Sequence, residues 1–148
     1  MSVSIYAYVE GKIDVSDRME WVSIDYFNRD MEEKGRFEQI PPCGSSSWLA
    51  GVLKNIPWDT EARGIPHDCC EYIKEEYART KDYTYGHHYI TLRELLNYPI
   101  NRIEEEDRGL LIPIIDNIKD RTENILWWFE DKIERRAEDI RLVFWCSR

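Results

Sequence analysis

Long hydrophobic runs are missing from this sequence of 148 residues. No stretch approaches the ~20 consecutive apolar residues of a membrane-spanning helix. The N-terminal stretch MSVSIYAYVEGK lacks the basic segment and the following apolar run of a secretory signal peptide. We therefore expect the protein to be cytoplasmic.

Positive charge is also in short supply, with 20 Lys and Arg residues against 29 Asp and Glu residues and a net charge of −9. Binding to nucleic-acid backbone or to anionic lipid depends on clustered Lys and Arg, so direct binding to nucleic acid or to a membrane is disfavoured. Basic protein partners are favoured instead. An acidic surface can also imitate the phosphates of DNA, although acidic charge more often serves solubility.

Cysteine is sparse, and Cys43, Cys69, Cys70 and Cys146 are scattered through a chain long enough to fold without disulfides. We expect reduced thiols that pack as small apolar groups. The spacings typical of structural zinc sites, C-x2-4-C and H-x3-5-H, do not occur. The sequence therefore assigns no metal ligands.

Recognised catalytic and phosphate-binding motifs are missing as well. There is no G-x-x-x-x-G-K-S/T loop, no G-x-G-x-x-G loop and no G-x-S-x-G nucleophile motif. We assign no cofactor and no catalytic residue. Cys69 or Cys70, with Asp68 and His87 or His88, still supplies the residue types of a nucleophilic centre. A small Cys/His or metal-dependent hydrolase therefore stays open as an alternative.

What the chain does have is apolar and aromatic content typical of a globular protein: 43% hydrophobic and 13% aromatic residues. Its length fits one domain, residues 1–148. Alternating apolar residues predict a strand over residues 3–9 that ends near Glu10 and Gly11. Further strands are predicted over residues 21–26 and 140–145.

Helix signals lie between these strands. Ser45, Ser46 and Ser47 are N-cap candidates for a helix that carries Trp48 and Leu53 and ends by Ile56. Pro66 is predicted to begin a second helix, whose inner stripe would be Cys69, Cys70, Ile73 and Tyr77.

Two more helices are predicted in the second half of the chain. The capping-box pattern Thr91–Glu94 predicts a short helix that ends before Pro99. Apolar residues at three- and four-residue steps from Leu111 to Ile133 predict one long amphipathic helix of about 25 residues, with Pro113 in its first turn.

The order of these elements predicts an α+β single domain. A small, mostly antiparallel sheet would be covered on one face by the long amphipathic helix, with shorter helices beside it. We expect the C-terminal strand to pair with an N-terminal strand. This arrangement would bring the loops 41–47, 57–66 and 80–90 near one another.

Four segments carry a family resemblance: Leu49–Val52, Arg63–Asp68, Ile90–Leu96 and Arg141–Trp145. In this order they are similar to the Leu-Ala-Gly-Val, Arg-Gly-Leu/Ile-Pro-x-Asp, Leu-Thr-Leu-x-Glu-Leu-Leu and Arg-Ile/Leu-Val-Phe-Trp motifs of a family of small, uncharacterised bacterial and bacteriophage proteins. The resemblance covers roughly residues 3–146. It implies a small soluble accessory protein, in the host cytoplasm if a phage encodes it, with a role in countering host defence.

One corner of the sequence predicts a ligand site. A helix that begins near Pro66 would offer free N–H groups and a partial positive charge to an anion, and the neighbouring Arg63 could hold that anion with two hydrogen bonds. Gly64 would allow close approach, and His67 could add a donor. Alternatively, Arg63 pairs with an acidic neighbour. With aromatic residues from distant segments, the predicted site comprises Trp48, Arg63, Gly64, His67, Tyr85, His87 and His88.

These features favour a non-catalytic binding protein that sequesters a small anionic or nucleotide-like ligand, such as a defence signalling molecule. An alternative is an acidic interaction inhibitor that docks a basic host protein, for example a nuclease, through residues 102–107 and 116–139. A homo-oligomer is compatible with either function.

Overall fold

The computed structural model describes residues 4–15, 17–24, 53, 61–97, 105–126 and 137–147. Along these residues the elements are β1 (Ser4–Val15), β2 (Arg18–Ser23), α1 (Glu71–Thr80), β3 (Thr84–Thr91), α2 (Leu92–Asn97), α3 (Glu105–Leu126) and β4 (Ile140–Ser147). The predicted α+β class with a small antiparallel sheet is confirmed. None of the described helices is long and apolar enough to cross a bilayer.

The four strands form one antiparallel sheet in the order β2-β1-β4-β3. β1 and β2 form a hairpin, and Asp17 takes a positive φ of 68° in its turn, a conformation that Asp tolerates better than most residues. β1 also pairs with β4, from Ser4 opposite Ser147 to Gly11 opposite Ile140. The predicted pairing of the C-terminal strand with an N-terminal strand is therefore confirmed.

Strand β3 is the largest departure from the predicted secondary structure, because its residues were expected to lie in a loop. Its pairing with β4 shifts register between Tyr85 and His88, and Gly86 within that shift has a φ of 67°. Such a bulge adds a residue to one strand and interrupts the alternation of inward and outward side chains. The sequence consequently lacks the period-two pattern by which strands are recognised.

Two predicted strand boundaries were also wrong. β1 continues beyond Gly11 to Val15, because its second half pairs with β2. β2 begins at Arg18 and ends at Ser23, earlier than the predicted strand over residues 21–26.

One face of the sheet packs against α2 and α3. Its core comprises alternate residues of the central strands together with buried residues of the helices: Ile5, Ala7, Val9, Leu142, Phe144, Leu92, Leu95, Leu111, Ile114, Ile115 and Ile118. Leu53, the described residue of the helix predicted over 48–56, is fully buried in the same cluster.

The opposite face of the sheet is covered as well. Tyr8, Val143 and Trp145 pack there with Cys69 and with Ile73 of α1. These strand residues alternate with those of the first face, so the two clusters lie on opposite sides of the same strands. β4 therefore has every residue buried, as is typical of a central strand covered on both faces.

The predicted helix ends agree in part with the structure. α2 ends at Asn97, before Pro99 as predicted. α3 begins at Glu105, so Pro113 lies well inside the helix and the expected first-turn position was wrong. The predicted continuation through Phe129 to Ile133 lies outside the described residues, and the helix over its full predicted length stays a prediction.

Replacing Ile73 by Ala tests the second core. Ile73 is fully buried, so the truncation should lower the free energy of unfolding by about 2–5 kcal/mol. Urea unfolding measures this value, and Glu75→Ala on the exposed side of the same helix serves as the matched control, expected within about 0.5 kcal/mol of the wild type. Equal effects of the two substitutions would contradict the packing of α1 on the sheet.

Candidate functional site

The capping box at the start of α2 forms as predicted. The Thr91 N–H donates to Glu94 Oε1 at 3.0 Å, and the Glu94 N–H donates to Thr91 Oγ1 at 3.1 Å. Each side chain thus satisfies a backbone donor that the helix leaves unpaired. The Glu94 carboxylate is thereby fixed in place beside β3.

Glu94 also holds Arg63. Arg63 Nη1 and Nη2 donate to the two carboxylate oxygens at 2.8 and 2.5 Å, and Nη1 donates to the Tyr89 carbonyl at 3.1 Å. Although burial acts to raise the pKa of Glu94, the hydrogen bonds from Arg63 and Thr91 leave it below its usual range. The alternative in which Arg63 pairs with an acidic neighbour is confirmed. A ligand anion would have to displace Glu94 to reach this guanidinium.

The segment before α1 lies against β3, as the predicted approach of loops 57–66 and 80–90 requires. The Gly64 N–H donates to the His87 carbonyl at 2.9 Å, with Gly64 at a φ of 79° that favours glycine. The Arg63 N–H donates to His88 Nδ1 at 3.0 Å. The structure thus brings together Arg63, Gly64, His87 and His88 of the predicted ligand site.

Of the remaining residues of the predicted ligand site, His67 and Tyr85 have exposed side chains. Trp48 and the loop 41–47 lie outside the described residues. The ligand-binding role of this set stays a prediction.

The two adjacent histidines have different surroundings. His88 is fully buried, and because its Nδ1 accepts the Arg63 N–H, its own proton must lie on Nε2. His87 packs against Tyr77 and Trp145, with ring centroids 5.0 and 5.6 Å away. The Thr84 hydroxyl donates to the Thr80 carbonyl, so at 3.0 Å it accepts from His87 Nε2.

The predicted start of α1 at Pro66 was wrong. The Cys69 N–H donates to the Pro66 carbonyl in a turn, Cys70 is extended at the N-cap position, and the helix begins at Glu71. The Cys70 N–H donates to Glu10 Oε2 at 2.7 Å. The partial positive charge at a helix N-terminus favours a nearby anion. At α1 this anion is the Glu10 carboxylate of the protein itself.

Glu10 and Arg141 form a buried ion pair in the sheet. They lie opposite each other on β1 and β4, and Arg141 Nε donates to Glu10 Oε1 at 2.7 Å. Arg141 Nη1 donates to Asp68 Oδ1 at 3.0 Å, and the guanidinium carbon lies 3.7 Å from the centre of a Trp21 ring. The sequence carries a signal for this pair: Glu10 follows the apolar Val9 in β1, and Arg141 lies between the apolar Ile140 and Leu142 in β4.

A cavity of about 430 Å³ opens beside this ion pair, between the β1–β2 hairpin and the start of α1. Its lining comprises Lys12, Met19, Glu20 and Trp21 from the hairpin, and Asp68, Cys69, Cys70, Glu71 and Lys74 from the other side. The sequence does not reveal this site, because its two walls are about 50–60 residues apart in the chain and meet only through the fold.

The thiols of the cavity wall are poor nucleophiles. Burial and the nearby Glu10 carboxylate raise the pKa of Cys69 to about 11 and that of Cys70 to about 12. Both thiols are therefore protonated near neutral pH, whereas the thiolate is the reactive form. Within the described part of the chain, no group of three or more His, Cys, Asp or Glu side chains is placed to hold a metal ion.

Comparison of the chain with protein-family models, with curated proteins and with solved structures finds no match.

A double-mutant cycle on Arg63→Met and Glu94→Gln measures the first ion pair. We expect a coupling of about 1–2 kcal/mol, because the two side chains are only 22% and 25% exposed and make two parallel hydrogen bonds. The more exposed pair Arg93–Glu138 is the control and should couple more weakly. Urea unfolding gives both values, and equal couplings would contradict a special role for the Arg63–Glu94 pair.

Replacing His87 by Gln tests the pH dependence of stability. Burial lowers the pKa of His87 from its ordinary value of 6.5, so the unfolded chain binds the proton more readily. The stabilisation from neutral His87 is complete above pH 6.5 and is lost as the pH falls through 6.5 towards the folded-state pKa. Unfolding measured across this range should show a smaller acid loss for His87→Gln than for the wild type. Identical slopes would contradict the burial effect.

Proposed function

We propose that the protein is a non-catalytic binding protein whose ligand occupies the cavity between the β1–β2 hairpin and α1. We further propose that the ligand is nucleotide-like and that the protein is a bacterial or phage accessory protein that sequesters it in countering host defence. The cavity of about 430 Å³ is the observation that carries this proposal. It replaces the predicted corner at Arg63, whose guanidinium Glu94 already binds.

The size and walls of the cavity support a small ligand. Ligand sites commonly measure about 300–1,000 Å³ and combine apolar or aromatic walls with a few polar groups. Trp21 supplies an aromatic wall, and Met19, which is 49% exposed, adds an apolar one. Lys12 and Lys74 supply cationic groups, and Lys12 Nζ lies 5.9 Å from a Trp21 ring.

The charge of the lining restricts the ligand. Two lysines face three carboxylates, those of Glu20, Asp68 and Glu71, so the ionised lining has a net charge of −1. The whole chain is acidic as well. This negative charge would repel a polyphosphate. A ring compound with one anionic group and polar ring atoms fits the lining better, because it carries less negative charge. A cyclic mononucleotide is a molecule of this class.

The chemistry of the wall supports binding more than catalysis. Cys69 and Cys70 are protonated near neutral pH, and His87 and His88 are not part of the cavity lining. The Cys/His hydrolase is therefore the weaker proposal. Docking of a basic protein through residues 102–107 and 116–139 stays a prediction, because many of these residues lie outside the described ones.

Calorimetric titration with 3′,5′-cyclic AMP, cyclic GMP and ATP tests the proposal. We expect a cyclic mononucleotide to bind and ATP to bind more weakly. Trp21→Leu should weaken cyclic-nucleotide binding by about tenfold or more, because stacking on an aromatic side chain contributes ~1–3 kcal/mol per base. Tyr83→Leu is the matched control, since Tyr83 is 55% exposed and lies outside the cavity lining.

Two results would contradict the proposed function: no binding of any mononucleotide, or equal binding by the wild type and a folded Trp21→Leu variant. Ionic strength separates the alternative, because a charge-driven complex with a basic protein should weaken steeply with salt while a stacked ligand should not. Native mass spectrometry of protein purified from signalling-active cells then identifies the natural ligand by its mass.

A further inference from the structure

We infer that Arg141 is the residue that binds the phosphate of the ligand, and that Asp68 is an exchangeable partner that gives way to this phosphate. The inference rests on the proposed function of the cavity and deepens it. It assigns to the site a singly charged phosphate diester as the anionic group.

The first observation is an incompletely satisfied guanidinium. Arg141 is 4% exposed, its Nε is bound by Glu10 and its Nη1 by Asp68, but its buried Nη2 has no hydrogen-bond partner among the described residues. Buried polar groups nearly always have a partner, and a single exception needs an explanation. An acceptor supplied by a ligand is such an explanation.

The second observation is that the two carboxylates on Arg141 differ in how firmly they are held. Glu10 is fully buried, and its second oxygen accepts the Cys70 N–H at 2.7 Å. The Asp68 side chain is 48% exposed and lies in the turn before α1. Glu10 is thus the permanent counter-charge of Arg141, and Asp68 is the partner that can move into solvent.

The third observation concerns geometry. Asp68 Oδ1 reaches Nη1, whereas an anion with two available oxygens can accept from Nη1 and Nη2 together. Asp68 and Trp21, which both contact the guanidinium, also line the cavity. The guanidinium therefore lies directly behind the cavity wall. A ligand phosphate that takes the place of the Asp68 carboxylate would accept hydrogen bonds from both Nη1 and Nη2 of Arg141.

A titration with dimethyl phosphate, a singly charged diester without a ring, tests this exchange. Binding is followed through the NMR resonance of the Arg141 Nε–H, which is buried and hydrogen-bonded. Asp68→Asn keeps the shape of the side chain and removes the competing charge, so we expect it to bind the diester about tenfold more tightly than the wild type. The Arg141 resonance should shift in both proteins.

Glu75→Gln is the matched control, because Glu75 is an exposed carboxylate of the same helix α1 and lies outside the cavity lining. We expect this variant to stay within about twofold of the wild type, as a purely long-range charge effect would be weak. An equal gain from Asp68→Asn and Glu75→Gln would overturn the inference, as would an unchanged Arg141 resonance. Arg141→Lys, if it folds, should lose the binding, and full binding by this variant would overturn the inference too.

The outcomes separate this inference from the proposed function. A cyclic mononucleotide that binds with dependence on Trp21 but with the same affinity in Asp68→Asn overturns the role of Asp68 and leaves the cavity as a binding site. Tighter binding of dimethyl phosphate by Asp68→Asn, with no mononucleotide bound, supports the exchange at Arg141 and overturns the nucleotide-like ligand.

Discussion

The buried pair of Glu10 and Arg141 is the interaction on which the second face of the sheet depends. One Glu10 oxygen binds the Arg141 guanidinium of β4, and the other binds the Cys70 N–H at the start of α1. A single carboxylate thus joins β1, β4 and the helix. Removal of one partner of such a pair is costly because it leaves the other charge buried and uncompensated. Trp21 covers the guanidinium from β2 and also lines the cavity, so the pair lies beside the cavity.

A similar arrangement joins the segment before α1 to the start of α2. Glu94 completes the local capping box with Thr91 and also binds Arg63, 31 residues earlier. In both places a carboxylate satisfies a backbone donor at a helix start and holds an arginine from a distant segment. The bound arginines differ in one respect that bears on function. Both end nitrogens of Arg63 are paired, whereas Nη2 of Arg141 has no hydrogen-bond partner within the described part of the chain.

The features that the sequence predicted correctly are those that depend on residues close together in the chain. The alternation at the start of β1, the apolar run of β4 and the Thr91–Glu94 capping box each depend on residues close in sequence, and they were recognised. β3 escaped because Gly86 and the bulge interrupt its alternation. The start of α1 was misplaced because the group that binds the Cys70 N–H lies 60 residues away, at Glu10. The cavity was missed for the same reason, since its residues become neighbours only when the hairpin and α1 pack together. For Arg63, the sequence left a ligand anion and an acidic side chain of the protein as alternatives, and only the fold identifies the partner as Glu94.

The strand order has a consequence for how the chain reaches this structure. β4 lies between β1 and β3 but follows both in the sequence, and its pairing with β1 joins residues as far apart as Ser4 and Ser147. During synthesis the sheet cannot be completed until residues 140–147 have left the ribosome. Until then β1 and β3 lack the central strand with which both of them pair. Strand edges left unpaired in this way are prone to aggregation. Contacts this distant in sequence also slow folding, which prolongs the time for which these edges stay exposed.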